Sequence, residues 1–409
     1  MVDHPMYILV LAWEFPPRII GGISRHVAEL YPELVKLGHT IDLITVEVEG
    51  STHYEIIDGV NVHRIPVEAN QDFFQWVANM NDGMRAYATK LIEVLVERQQ
   101  KFEIIHAHDW LVADASISIA QAYDISLVAT IHATEHGRYN GIYTDTHRYI
   151  HHKEVALASA AQRVIVCTEY MRREMANTLN CPSDKTAVIY NGLSAERAAR
   201  FQNSNFDLDF DPVALRSKFA QAEEYIVYYV GRITYEKGIF VLLNAVPHVL
   251  AAMPDRVKFV IIGSGDTQSL KQQAWNLGIH HKVLFTGFMS DYNLTQFQTI
   301  ADCAVFPSLY EPFGIVALEC FAAGVPVVVS DSGGLPEVVQ DGITGIVTKV
   351  NDGESIAQGI LKILQNPTYR DRLVENAMQD LHDRFAWPHL AKQTEAVYKS
   401  LESSNSISI

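Results

Sequence analysis

Cysteine is scarce: the 409 residues include four. Cys167, Cys181, Cys303 and Cys320 show neither metal-ligand nor paired spacing, so they suggest no thiolate metal site and no disulfide framework. Most lie in or beside apolar runs, and the expectation is buried free thiols in a reducing compartment. Long apolar runs are missing as well. No stretch reaches the roughly 18 apolar residues of a membrane span. The run Met6 to Trp13 is apolar but short. It has no basic flank before it and no small-residue cleavage site after it, so it reads as a buried strand and not as a targeting segment. The expected location is the cytoplasm, without a membrane span. Positive charge is in deficit: 32 basic against 48 acidic residues give a net charge of −16. That balance argues against a nucleic-acid partner, whose affinity is built on phosphate neutralisation, and against anionic membrane surfaces. It leaves room for a local basic pocket. A complete dinucleotide fingerprint is also missing. Ile262-Gly263-Ser264-Gly265-Asp266 offers a Gly-x-Gly turn without the third glycine.

What is present is a long chain of ordinary globular composition, 48% hydrophobic. Its length exceeds the range in which one core keeps growing, so two domains are expected. Strand and helix patterns alternate. Tyr7 to Ala12 reads as a strand, followed by a helix from about Ser24 to Leu37 that Gly38 stops and Pro32 kinks. Further strands are expected at Thr40 to Val46, Ile104 to Ala107, Leu127 to Ile131 and Arg163 to Cys167. After a polar, turn-rich stretch at Phe201 to Pro212 the alternation restarts. Strands follow at Tyr225 to Val230, Val257 to Ile262, Val283 to Thr286, Cys303 to Pro307 and Val325 to Val329. The pattern implies an α/β fold of parallel doubly wound sheets, with ligands at the carboxyl ends of the strands. The turn-rich stretch divides the chain into domains at 1–205 and 206–386. A final amphipathic helix, from about Pro388 to Leu401, lies in 387–409. Asp207, Asp209 and Asp211 alternate like a metal-binding Asp-x-Asp but sit in this linker without other ligands, and no metal site is expected.

Chemistry concentrates at the ends of strands. Glu311 and Glu319 stand eight positions apart in a run from Ser308 to Ser330. Pro312 keeps Glu311 out of helical geometry, Gly314 allows close backbone approach, and Glu319 lies in the helix that follows. Eight residues of continuous helix would separate the backbones by about 12 Å, more than a glycosidase acid/base pair requires. The two carboxylates therefore suit different parts of one long, hydroxyl-rich ligand. In Gly231-Arg232-Ile233-Thr234-Tyr235-Glu236-Lys237-Gly238, directly after a strand, Arg232 offers a planar fork of donors and Lys237 a compact charge. Gly21-Gly22 opens a helix after the first strand, where amide donors suit an anion. Thr130-Ile131-His132 and His106-Ala107-His108-Asp109-Trp110 end buried strands. Two imidazoles two residues apart, without a third ligand in sequence, do not make a metal site.

The Glu311 to Glu319 element, with these companions, resembles the retaining, nucleotide-sugar-dependent glycosyltransferases built of two Rossmann-like domains facing a cleft (the GT-B type). That large family includes sucrose-phosphate synthases and glycogen-synthase-like enzymes, and the resemblance covers nearly the whole length. It implies that Glu319 binds the donor ribose and that Glu311 and His132 lie beside the donor sugar. It also implies that Gly314, Ile315 and Val316 approach sugar and diphosphate, and that Arg232 and Lys237 bind the diphosphate. Gly21 and Gly22 would face the donor phosphates, and Gly263 and Gly287 would border the nucleotide. The catalytic set is then His132, Glu311, Arg232 and Lys237. The final helix would cross back to the first domain. The donor would be UDP-glucose or ADP-glucose, with no cofactor. Bacterial glycogen synthases carry a lysine two residues before the paired glycines, where this chain has Ile19.

His108 and Asp109 are candidates for the acceptor side. Arg138, Arg148, His151, His152 and Lys153 form a local basic excess suited to a sugar phosphate. This favours fructose 6-phosphate as acceptor, hence sucrose-phosphate synthesis. The segment Thr130 to Arg138 looks like archaeal-type glycogen synthases and makes a growing α-glucan the alternative. A sugar-nucleotide epimerase or a non-catalytic sugar-nucleotide binder are readings of other classes.

Overall fold

The computed structural model describes residues 4–202 and 210–405 and contains two compact units. One comprises the chain up to Gly192 together with the segment from Trp387 onward; the other runs Leu193–Ala386.

The first unit is built on eight strands: β1 (Tyr7–Leu11), β2 (Thr40–Val46), β3 (Tyr54–Ile57), β4 (Val60–Ile65), β5 (Ile104–His108), β6 (Ser126–Ile131), β7 (Arg163–Val166) and β8 (Thr186–Val188). Their order is β3-β4-β2-β1-β5-β6-β7-β8. Pairing is parallel except between β3 and β4, which form an antiparallel hairpin across Asp58-Gly59. β1 lies between β2 and β5, with Ile8 opposite both Ile41 and Ile104. The chain first winds to one side of β1 and then, from β5 onward, to the other. The direction reverses between β1 and β5, so loops leaving their carboxyl ends splay apart and open a crevice.

The helix Trp387–Asn405 belongs to this unit. Trp387, Leu390, Ala391, Tyr398 and Leu401 join the buried cluster of Ile8, Val10, Val27 and Leu34. Their spacing of three, four and seven forms one apolar stripe. Burying a side chain such as Leu390 is worth about 2 kcal/mol. Trp387 Nε1 donates to Glu29 at 2.6 Å, and the Tyr398 hydroxyl bonds His106 at 2.6 Å.

The second unit carries β9 (Tyr225–Val230), β10 (Val257–Ile262), β11 (Val283–Gly287), β12 (Cys303–Phe306), β13 (Val327–Ser330) and β14 (Ile346–Thr348). The order β11-β10-β9-β12-β13-β14 is parallel throughout, and its direction reverses between β9 and β12. β9, β10, β12 and β13 are apolar runs buried on both faces, as helix-covered parallel strands require.

The change of unit falls between Gly192 and Leu193, earlier than the turn-rich stretch would place it. The reason is the helix Ala195–Gln202, which packs against the helices Ile315–Ala322 and Asp291–Gln298 of the second unit. Asp211 caps the helix Pro212–Arg216, accepting from the amides of Val213 and Ala214 at 2.9 and 3.1 Å. Asp207 and Asp209 lie outside the described residues. All four cysteines are buried free thiols. Among the described residues no helix is long and apolar enough to cross a membrane.

Candidate functional site

In the second unit, three loops meet at the carboxyl ends of β9, β12 and β13. The loop after β9 carries Arg232 and Lys237. It is tied to the loop after β12 by the amides of Leu309 and Tyr310, which both donate to the Glu236 carbonyl at 2.8 and 3.2 Å. Gly238 makes this possible. Its φ is +65°, and a Cβ there would lie 2.0 Å from the Pro307 carbonyl oxygen. The close approach delivers Lys237 Nζ to Glu311 Oε2 at 2.7 Å, with both side chains more than four-fifths buried. Ser308 donates to the same carboxylate oxygen at 3.4 Å. The loop after β13 closes the arrangement: the Gly334 amide donates to the Glu311 carbonyl at 2.8 Å. Arg232 stands apart, exposed, with its guanidinium 3.7 Å from Glu236. An anchored lysine–glutamate pair therefore lies beside an accessible arginine, at the point where the sheet reverses direction.

Gly314 caps the helix Ile315–Ala322 with φ +104°, and Ile315 and Val316 are half-buried at its first turn. Glu319 is buried on this helix and accepts from Arg197 Nη2 at 2.6 Å. The glutamates thus meet different cations, as two separately held carboxylates and not as an acid/base pair. Gly263 directly follows β10 with φ +148°, and a Cβ there would lie 1.8 Å from the Gly231 carbonyl oxygen. The Gly263 amide donates to the Gly287 carbonyl at 2.9 Å. The turns after β9, β10 and β11 are thereby laced side by side.

In the first unit, β5 and β6 bring His106, His108, Asp109 and His132 to one place. Asp109 has φ +60° and ψ 174°, an unfavourable conformation for a residue with a Cβ. Its carboxylate accepts from the His132 amide at 2.7 Å, so it fixes the backbone at the end of β6. Burial pushes the Asp109 carboxyl up to about 6, opposed by that hydrogen bond and by the charge of Arg138. His108 Nδ1 and His132 Nε2 are 3.1 Å apart. Tyr31 bridges His106 and His108 at 3.0 and 2.6 Å. His26, which sequence reading missed, brings a third imidazole. Nitrogens of His26, His108 and His132 all lie within 4.8 Å of one another, and His26 Nδ1 is 2.7 Å from Asn191 Oδ1. Burial holds His26 and His132 down to about 3, so both are neutral near pH 7.

Gly21 caps the helix Gly22–Lys36, and the amides of Ile20 and Gly21 donate to Glu14 Oε2 at 2.6 and 2.9 Å. The chain's own carboxylate thus takes the place where an anion would meet those two amides. The basic residues after β6 are also engaged. Arg148 Nη2 bonds Asp145 at 2.5 Å, and Lys153 Nζ sits 2.8 and 2.7 Å from the two carboxylate oxygens of Asp114. Arg138 is half-buried, His152 is exposed, and His151 lies 3.9 Å from Glu154.

Glu154 yields a stability prediction. Burial pushes its carboxyl up to about 8, opposed by the Glu135 amide that donates to it at 2.8 Å. The Asp109 and Glu135 carboxyls raise it further, and Arg138 lowers it. Unfolded, it ionises near its ordinary 4.5. Between these values the unfolded chain sheds a proton that the folded chain keeps. This group's contribution to stability is therefore full below pH 4.5 and falls as pH rises through about 8. Glu154→Gln keeps the acceptor and removes the titration. It should raise stability at pH 8 by on the order of 2–4 kcal/mol and change little at pH 4.5. Equal melting shifts at both pH values would refute this.

Comparison with known proteins decides the family. Residues 20–197 match the Glycosyltransferase Family 4 model and residues 214–380 the model for Glycosyl transferases group 1. An uncharacterized glycosyltransferase of Methanocaldococcus jannaschii is 37% identical over 96% of this chain and 98% of its own. The chain belongs to the group 1 glycosyltransferases. Another member, a glycogen synthase of Mycobacterium tuberculosis, is 34% identical over 96% of this chain and 94% of its own. The group's two Rossmann-like domains also appear in a sucrose-phosphate synthase from Thermosynechococcus elongatus. That structure superposes with a TM-score of 0.77 at 22% identity, over 98% of this chain and 100% of its own. This glycosyltransferase thus has the GT-B fold.

Proposed function

We propose that this glycosyltransferase moves glucose from UDP-glucose or ADP-glucose to a sugar hydroxyl with retention at the anomeric carbon. The observation that carries this reading is the Lys237–Glu311 pair beside the exposed Arg232, on loops that flank the sheet reversal of the second unit. A departing nucleoside diphosphate gains negative charge as the glycosidic bond breaks. Lys237 and Arg232 strengthen their interaction with it in the transition state, which is the binding that accelerates reaction. Glu311, anchored by Lys237, lies beside the donor sugar; Glu319 takes the ribose hydroxyls; the Gly314-Ile315-Val316 turn approaches the diphosphate. Neutral His132 offers a hydrogen bond to a sugar hydroxyl. Retention follows a front-face path in which a leaving phosphate oxygen takes the acceptor proton.

The basic cluster suited to fructose 6-phosphate is partly neutralised within the first unit. Arg148 and Lys153 are matched by Asp145 and Asp114. This supports a neutral α-glucan over the sugar phosphate. Arg138 is the residue on which the sucrose-phosphate reading now rests. The test is to incubate the protein with UDP-glucose or ADP-glucose, offering glycogen or fructose 6-phosphate, and to assign the product and its anomeric configuration by NMR. An α-linked glucan extension is expected. Sucrose 6-phosphate as product would restore the other acceptor, and an inverted linkage would sink the retaining mechanism.

Activity should also survive EDTA, because Arg232 and Lys237 supply the charge that a divalent ion supplies elsewhere. Complete loss on chelation, restored by magnesium or manganese, would overturn that assignment.

A further inference from the structure

The imidazole cluster of the first unit holds more than the transfer reading uses. That reading calls on His132 alone, yet His26 and His108 stand against it. His26 comes from the helix Gly22–Lys36, His108 ends β5 and His132 directly follows β6. All three belong to the first unit, so the cluster is complete within it. Two of the rings are oriented by a hydrogen bond at the far nitrogen. His26 Nδ1 lies 2.7 Å from the Asn191 side-chain oxygen, which only accepts, so this nitrogen carries the ring proton. His26 Nε2 is then a bare lone pair, buried and without a hydrogen-bond partner among the described residues. An acceptor left unmet in the interior is costly, and it points to a ligand that takes a lone pair. His108 Nε2 lies 2.6 Å from the Tyr31 hydroxyl, which leaves Nδ1 toward His132 Nε2 at 3.1 Å. Holding one ring nitrogen by a hydrogen bond while the other faces inward is how metal-binding histidines are oriented.

We propose that His26, His108 and His132 bind a zinc-class divalent ion through one nitrogen each, and that the bound ion switches transfer off. One nitrogen of each ring lies within 4.8 Å of the other two. Zinc–nitrogen bonds of about 2.0–2.1 Å set tetrahedral ligand atoms about 3.3 Å apart. The His108–His132 pair already has that spacing, and His26 has to close by about 1.5 Å or less. His132 is half-buried, so an ion reaches the cluster from its side. Three imidazoles suit zinc, cobalt, nickel or copper, whereas magnesium and calcium take oxygen ligands. The proton between His108 Nδ1 and His132 Nε2 moves to the other nitrogen of its ring, so coordination requires no net loss of a proton. The fourth position stays open to water. The inhibitory half of the proposal rests on the transferase reading: His132 held by an ion no longer offers its hydrogen bond to a sugar hydroxyl. The ion inhibits and is not required, in keeping with an activity expected to survive EDTA.

The test titrates the protein with zinc chloride by calorimetry and with cobalt chloride by visible absorption, without donor or acceptor. Wild type, His26→Gln, His132→Gln and the exposed control His152→Gln are compared, and melting curves check that each folds. Wild type and His152→Gln should take up one tight equivalent of zinc and show the intense bands of low-coordinate cobalt. His26→Gln and His132→Gln should each bind that equivalent roughly 100-fold more weakly or worse, since losing even a residue that orients a ligand costs about 10–100-fold. His132 is half-buried, so its variant decides the matter if His26→Gln does not fold. Absence of a tight equivalent overturns the site, and so does equal zinc affinity in the wild type and a folded His26 or His132 variant. Inhibition is read separately. Glucosyl transfer by the wild type should fall in proportion to bound zinc and return on adding EDTA, while magnesium at the same concentration has no such effect. Unchanged transfer at full zinc occupancy overturns the switch. If no nucleotide sugar yields product, the transferase reading and the switch fall together, and the titrations still decide the ion site.

Discussion

Arg232→Ala and Lys237→Ala should each lower kcat by about 10²–10³-fold, the scale on which removing one pre-positioned stabiliser of developing charge acts. Their effects on the fold should differ, and that difference makes the test specific. Arg232 is exposed, with its guanidinium 3.7 Å from Glu236. Its removal should leave stability within about 0.5 kcal/mol, as for most surface substitutions. Lys237 is more than four-fifths buried against Glu311 at 2.7 Å. Its removal strands a partly buried carboxylate and should also cost about 1–3 kcal/mol of stability. Steady-state kinetics with saturating donor, paired with thermal melts, read both quantities. Near-normal turnover in a folded Arg232→Ala/Lys237→Ala double variant would remove the diphosphate role from both residues. A loss confined to KM would show that they bind the donor without favouring its transition state.

The parts of this site legible in sequence share one property: each stands in or directly beside the apolar run that marks its strand or helix. Arg232 and Lys237 directly follow the apolar run of β9, and Glu319 sits in the apolar helix after β12. Local pattern therefore placed them at strand ends. Their partners were not legible, because the ties between them are long-range. Arg197 meets Glu319 across 122 residues and Lys237 meets Glu311 across 74. His26 lies on an early helix, while its imidazole companions come from β5 and β6. The same reasoning explains Gly21-Gly22. The pair announces exposed amides, but whether an outside anion or the chain's own Glu14 meets them depends on how the intervening turn folds. The basic excess after the His132 strand was visible, but its neutralisation by Asp114, 39 residues from Lys153, was not. The β3–β4 hairpin did leave a signal that went unread. Asp58-Gly59 is the turn pair that two-residue hairpins prefer, and both residues have positive φ. β3 escaped notice because its residues alternate exposed and half-buried at the sheet edge and form no apolar run.

Gly238→Ala should be a strongly damaging methyl addition in the loops of the second unit, and Gly287→Ala is its control. Both glycines have positive φ, +65° and +76°, so both substitutions carry the left-handed penalty of about 1–2 kcal/mol. Only Gly238 faces an obstacle: its Cβ would sit 2.0 Å from the Pro307 carbonyl oxygen, whereas nothing lies within 4 Å of a Cβ at Gly287. That oxygen belongs to backbone held in the loop after β12, so it cannot rotate away as a side chain could. The loop after β9 must move outward, and Lys237, the adjacent residue, moves with it. Gly238→Ala should therefore lose about 3 kcal/mol or more of stability. For a unit of this size that is a melting shift of very roughly 6–12 °C. Gly287→Ala should lose about half as much or less. The kinetic consequence separates strain from position. Gly238→Ala should resemble Lys237→Ala in kcat even at temperatures where it is fully folded, because Lys237 no longer reaches Glu311. A folded Gly238→Ala enzyme with wild-type turnover would mean that the 2.7 Å contact between Lys237 and Glu311 is dispensable for the reaction.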